Sequence, residues 1–298
     1  MILCLGEALV DLICERPARS LADADSFTPH FGGALANVAV AAARAGGDAG
    51  LAGAAGHDEW GRWLRARLER EGVDLRWFEL LEGEQTPLAF ALVDEDGEAS
   101  FQIYGDAIAI AIAAIEPRLE SAIDAADALV FSSTTLATER EREVTVRARE
   151  LALERGVRVL FDPNIRPNRW GGDPRPAVEA SRELVAGSFC VRCNREEACG
   201  IAAVADPRAA ASKLAGMGAE LAVVTLGAEG AVIAGACEAE APSPQVDVVS
   251  TLGAGDAFMG TLAAGLAARD WDPSRAGEAL GPALAVAAQA CTRYSALD

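Results

Sequence analysis

Ser250-Thr-Leu-Gly253-Ala254-Gly255-Asp256-Ala-Phe-Met-Gly260 is the stretch on which the reading of this chain turns. Its small residues let backbone approach a ligand closely, and the apolar spacing that follows predicts a helix over 255–269. The free N–H groups of that helix's first turn face whatever lies before them and suit an anion. A carboxylate at this place can take the proton of an attacking hydroxyl while the N–H groups hold developing phosphoryl charge. Taken alone, Asp256 reads more simply as a capping acid after a glycine turn.

Outward from this segment, short apolar runs alternate with amphipathic stretches of helical length. Strands are expected at Ile2–Leu5, Ala128–Phe131, Val157–Phe161, Phe189–Cys193, Leu221–Thr225 and Ala231–Ala234. Helices are expected near 34–45, 58–71, 139–155, 176–185, 206–217 and 276–291 as well. This alternation predicts an α/β fold with a mostly parallel sheet under helices. Thr86–Val93 and Glu98–Tyr104 break the rhythm as two strands joined by Asp94-Glu-Asp-Gly97, a hairpin that belongs to a small accessory sheet. Ala107–Ile115 fits either period and leans towards helix.

The 298 residues carry 26 Lys+Arg against 45 Asp+Glu, a formal charge of −19, and Lys213 is the only lysine. Nucleic acid, which is bound through clustered cations, is thereby disfavoured as a partner. An anionic ligand needs local help from helix N-termini or a divalent metal. No apolar run approaches the ~18 residues that span a bilayer, and Met1-Ile-Leu-Cys-Leu-Gly6 is not a leader, so a cytoplasmic protein without membrane partners is expected. The seven cysteines, an odd number lying mostly in apolar runs such as those around Cys4, Cys237 and Cys291, suit buried reduced thiols. Cys190-x-x-Cys193 with Cys199 lacks a nearby fourth zinc ligand and reads as core. Lys213 has no P-loop glycines before it, and Phe258 stands where a G-x-G-x-x-G fingerprint would end, so phosphate binding uses another scheme.

Gly253-Ala-Gly-Asp256-Ala-Phe resembles the C-terminal signature of the ribokinase-like (PfkB) carbohydrate kinases, and Gly32-Gly33-Ala-Leu-Ala-Asn37-Val-Ala resembles their N-terminal one. The pair, in the family's order and about 220 residues apart, is far more specific than either motif. Gly6-Glu7-Ala-Leu-Val-Asp11, Asn194-Arg-Glu-Glu197 and Val224-Thr225-Leu-Gly227-Ala-Glu-Gly230 are similar to further family segments. Asp162-Pro-Asn164-Ile-Arg166-Pro-Asn-Arg-Trp170 is similar to fructokinase and 2-keto-3-deoxygluconate kinase members.

The resemblance implies a single ribokinase-like domain over 1–298, a three-layer α/β/α sandwich with a small β-sheet lid from segments near 12–31 and 86–105. It implies Mg²⁺-dependent transfer of the γ-phosphoryl of ATP to a sugar hydroxyl, with Asp256 as base and Gly253, Ala254 and Gly255 as anion hole. Asp11, Gly32, Gly33 and Asn37 would bind sugar hydroxyls, and Arg166 phosphate or an acidic substrate. Asn194, Thr225, Gly227 and Gly230 would lie along the nucleotide, with Glu197 on Mg²⁺ through water. Each has a plainer role: a strand-end turn for Asp11, a satisfied helix residue for Asn37, an N-cap with a first-turn acid for Asn194 and Glu197, and a surface cation for Arg166. Thr225 to Gly230 would then be an ordinary strand-turn-strand. Two departures matter. Ser250 replaces the usual Asp, removing a charged ligand for a monovalent cation, and Tyr104-Gly105 replaces the Tyr-Arg of fructokinases. The sugar is accordingly expected to be a neutral ketohexose ahead of 2-keto-3-deoxygluconate, with ribokinase or nucleoside kinase activity and a non-catalytic sensor as rivals. Lids of this family pair between subunits, which implies a homodimer.

Overall fold

The computed structural model describes residues 1–95, 99–103, 107–295 and 297. Its large sheet comprises β1 (Ile2–Leu5), β4 (Ala49–Gly56), β5 (Phe78–Leu81), β8 (Ala128–Ser132), β9 (Arg158–Asp162), β10 (Cys190–Asn194), β11 (Leu221–Thr225), β12 (Ala231–Gly235) and β13 (Ala239–Ala241). The spatial order is β13-β12-β11-β10-β9-β8-β1-β4-β5, parallel from β11 to β5, with β12 and β13 antiparallel at one edge. β2 (Leu9–Cys14), β3 (Thr28–Gly32), β6 (Leu88–Val93) and β7 (Ala99–Ile103) form a second sheet in the order β3-β2-β6-β7. That is the expected accessory lid. Most of its Asp94–Gly97 turn, and Tyr104-Gly105, lie outside the described residues.

Strand periodicity divides the core in two. Ile2, Cys4, Leu51, Val130, Leu160, Cys190 and Val223 pack towards α1 (Ala34–Arg44), α2 (Glu59–Arg70), α9 (Ala254–Ala267) and α10 (Gly277–Ala290). Leu3, Leu5, Leu129, Phe131, Val159, Phe161 and Val191 pack towards α3 (Ala107–Ala113), α4 (Leu119–Asp124), α5 (Glu139–Glu154), α6 (Arg175–Val185), α7 (Arg195–Ala202) and α8 (Pro207–Gly216). The three layers follow from this alternation.

β4 was not among the expected strands because Ala-Gly-Leu-Ala-Gly-Ala-Ala-Gly has no β-branched residue, yet all eight positions are buried. Backbone crowding explains the composition: a Cβ on Gly53 would stand 2.5 Å from the Gly6 carbonyl oxygen. Cys4, Cys14, Cys190 and Cys193 are buried, but Cys199, Cys237 and Cys291 are only half-buried, which corrects the core reading for these three. Cys237 lies between β12 and the edge strand β13, where a Cβ on Gly277 of α10 would stand 3.6 Å from its Sγ, and Cys291 follows the end of α10. Among the described residues no group of metal-binding side chains gathers, and no helix is long and apolar enough to cross a membrane.

Candidate active site

Two cavities meet at the N-terminus of α9. The first, about 560 Å³, lies under the lid and is lined by Glu7, Asp11, Gly33, Asn37, Arg166, Gly253 and Asp256, with an apolar wall of Leu9, Ala89, Phe101, Ile103 and Ile108. The second, about 760 Å³, lies on the other side and is lined by Arg192, Thr225, Gly227, Gly230, Ala254 and Gly255, with Val246, Val248, Leu284 and Ala287 as its apolar part. One turn of chain thus separates two chambers: Gly253 and Asp256 face the first, Ala254 and Gly255 the second.

Gly253 caps α9 in the left-handed conformation (φ 69°), so the chain turns sharply into the helix; Ala254 N donates to the Thr251 carbonyl oxygen at 3.3 Å, and the N–H groups of Gly255 and Asp256 follow it in the first turn. Asp256 lies in that first turn, 6% exposed, and its Oδ2 accepts a 2.9 Å hydrogen bond from Asn37 Nδ2. Burial pushes its carboxyl above the usual range, against the opposing pull of that amide and of Arg166 and Arg192. Asn37 projects from α1, and its buried Oδ1 has no partner, an acceptor left over for a ligand hydroxyl.

Asp11 sits within β2 rather than at a strand end, and burial pushes its carboxyl up to about 7, with Asp256 adding repulsion. Gly32 makes room for it, because a Cβ there would stand 2.0 Å from Asp11 Oδ2. Gly33 lines the cavity and starts α1 at φ 97°, where a Cβ would also strike the Glu7 carbonyl oxygen at 2.4 Å. Arg166 enters the first cavity with its guanidinium over Phe101 of β7, 5.7 Å from the ring centre.

Asn194 and Glu197 line neither cavity. They form a capping box at the start of α7, Asn194 Oδ1 accepting from Glu197 N and Glu197 Oε2 from Asn194 N, each at 2.9 Å. Glu197 Oε1 also accepts from Ile165 N at 2.8 Å, tying α7 to the loop after β9. The helix-terminus role is thus the geometry observed, as their residue types allow. Ser250 is buried, its Oγ accepting from Leu252 N at 3.1 Å, and shapes the turn before Gly253.

Four groups were not expected. Glu7, buried after β1, accepts from Thr134 Oγ1 at 3.0 Å and from Ala34 N at 3.2 Å, and so holds the start of α1. Arg169 reaches the first cavity but pairs with buried Glu141. Arg192 of β10 faces Asp162 at the end of β9, 3.3 Å away. A charged residue inside the apolar run Cys190-Val-Arg192-Cys was the visible signal for the last pair.

The chain is similar to known enzymes over its full length. The profile of the pfkB family carbohydrate kinases matches residues 1–298. Aminoimidazole riboside kinase of Salmonella typhimurium is 31% identical over 98% of this chain and 89% of that protein. A fructokinase of Klebsiella pneumoniae is 34% identical over 96% and 90%. Among solved structures, a Vibrio cholerae fructokinase double mutant in its fructose-, ADP- and potassium-bound form superposes with a TM-score of 0.85 at 29% identity, covering 99% of this chain and 93% of that one. With two chambers meeting at a buried aspartate in a glycine-capped helix, these matches show that the chain belongs to the pfkB family of carbohydrate kinases, ATP-dependent phosphotransferases acting on a sugar hydroxyl.

Proposed function

We propose that this kinase phosphorylates a neutral ketohexose such as fructose, bound under the lid, with ATP in the second cavity and Asp256 as general base. The observation that carries the reading is Asp256 on the partition between the chambers, aligned by Asn37. The acceptor hydroxyl gives its proton to Asp256 while its oxygen bonds to the γ-phosphorus; the bond from that phosphorus to the bridging oxygen breaks, and ADP leaves with the electron pair. The Gly255 N–H, at the helix start, holds the charge that builds on the phosphoryl oxygens, and the Ala254 N–H joins it by leaving the Thr251 carbonyl oxygen, to which it donates at 3.3 Å. Asp11 and Asn37 orient the sugar, and the lid excludes water.

Cavity two suits a nucleotide: Gly227 and Gly230 keep backbone open beside Thr225, and the wall of Val246, Val248 and Leu284 suits a base. A divalent ion, Mg²⁺ in this proposal, would neutralise the triphosphate; Asn194 and Glu197, which line neither cavity, would hold it only through water, each Glu197 oxygen keeping a second lone pair beyond its backbone bond. With Ser250 in place of a carboxylate, activation by K⁺ at fixed ionic strength is weak. Lid pairing between subunits would cover β3 and β7, the two lid edges.

The apolar wall from Leu9 to Ile108 favours a second reading, a riboside carrying a flat heterocycle, in line with the aminoimidazole riboside kinase likeness. A sugar acid would have to be held by Arg166 alone, because Arg169 is already paired with Glu141. A screen of ATP consumption over ketohexoses, pentoses, aminoimidazole riboside, other nucleosides and keto-deoxy sugar acids decides between them. Fructose should give the highest kcat/KM; a riboside well above every free sugar transfers the assignment to the second reading, and no turnover with any acceptor points to the sensor.

A further inference from the structure

Arg192 is an unusual residue to find inside a sheet. It is 8% exposed, in the middle strand region of an apolar core, and it is the only charged side chain among the described residues lining the second cavity. A guanidinium has five N–H donors. Here Nη2 donates to Thr225 Oγ1 at 2.9 Å, Nη1 meets Asp162 only at 3.3 and 3.4 Å, and Nε is buried with no partner. A pair built for stability would close to roughly 2.7–2.9 Å and use the whole fork. The plane rests near Phe258, 5.8 Å from the ring centre, and a Cβ on Gly255 would stand 2.7 Å from Nη1. Gly255 therefore leaves the space that the guanidinium occupies, directly beside the first turn of α9. The chain's one lysine, Lys213, lies on α8 and not in this cavity.

We propose that Arg192 is the cation that binds the nucleotide polyphosphate: with ATP present, its guanidinium gives up the loose contact with Asp162 and forks onto phosphate oxygens at the start of α9. This rests on the second cavity being the nucleotide site.

The test compares affinities for ATP, ADP and AMP by titration calorimetry in Mg²⁺ buffer. Arg192→Met alone would strand Asp162 as a buried charge and could unfold the protein. The double variant Arg192→Met/Asp162→Asn removes both charges, and Arg192→Lys keeps a charge without the fork. In the parent, affinity should rise steeply from AMP to ATP. In the double variant, ATP affinity should fall about 10- to 100-fold and AMP affinity less than about 3-fold, with Arg192→Lys in between. Equal losses for all three nucleotides, or unchanged ATP binding in Arg192→Lys and in the folded double variant, would overturn the assignment. A parent that binds ATP no better than AMP overturns the nucleotide reading of the cavity itself, and the role of Arg192 with it.

Discussion

A carboxylate that is to deprotonate a sugar hydroxyl must be near it, ionised, and short of better partners, and Asp256 is held by one amide and little else. Asp256→Asn keeps the shape and the Asn37 contact region but cannot take the proton, so kcat should fall about 10²- to 10⁴-fold while both substrates still bind. Near-parental turnover in that variant would remove Asp256 from the role of base. The pH dependence follows from the same burial. Asp256 is raised and works ionised, and Asp11, pushed up to about 7, accepts two hydroxyl hydrogens only when ionised. The acid limb of kcat/KM for the sugar should therefore lie nearer pH 7 than pH 4. Asp11→Asn should raise the sugar's KM about 10- to 100-fold, through loss of a charged hydrogen-bond acceptor, and move the limb downward. A limb near 4 in the parent would count against both assignments. Asp256 and Asn37 were legible in the sequence because each sits in a compact motif, whereas Glu7 and Asp162 act through partners 127 and 30 residues away that no local pattern links to them.

Those two motifs meet because α1 and α9 pack with almost no side-chain thickness between them. Gly260 is the contact point: a Cβ there would stand 2.3 Å from the Val38 carbonyl oxygen and 2.6 Å from Ala41 Cβ. Gly260→Ala must push the helices apart, at a cost of about 1–3 kcal/mol. Because Val38 follows Asn37, the same shift should lengthen the Asn37–Asp256 bond and lower kcat. Gly200→Ala is the matched control, a helical glycine whose nearest atoms, in Val178, would lie at 3.7 and 3.9 Å; it should gain about 0.5–1 kcal/mol with activity unchanged. Denaturant melts of both variants, with kcat beside them, separate helix propensity from helix contact. Equal stabilities would show that the α1–α9 contact is not tight. The elements themselves were readable where burial imposed a chemical pattern, as at β1 and β11, whose ends match the apolar runs. Reading failed at β4, where crowding selected Ala and Gly and erased the strand signature, and it did not separate α7 as a helix, although the N-cap and first-turn acid of its capping box were legible in Asn194 and Glu197.

Across the whole molecule, catalysis and stability ask for opposite protonation. Burial raises Glu7, Asp11, Asp162 and Asp256 alike, so the folded state retains protons that the unfolded chain has already released. Between about pH 4 and 7 the unfolded chain binds fewer protons than the folded one, and stability must fall as pH rises through that window. The −19 net charge adds self-repulsion at higher pH. Surface carboxylates such as Glu71, Asp74 and Glu278 are lowered, by arginine or, for Asp74, by arginine and backbone hydrogen bonds against a burial penalty, and their contribution is lost only as pH drops below about 4. The melting temperature of the ligand-free protein should therefore peak near pH 4 and decline towards pH 8, where the buried acids are ionised. Asp11→Asn removes one of the buried charges. It should raise the melting temperature at pH 8, through as much as about 2–4 kcal/mol from a shift of that size, and leave it nearly unchanged at pH 4. Calorimetric scans of parent and variant across pH 4–9 would read this directly. A parent curve that climbs steadily to pH 8, or an Asp11→Asn variant less stable there, would mean that the buried acids are compensated in the folded state and that no stability is given up to keep them ionised for the reaction.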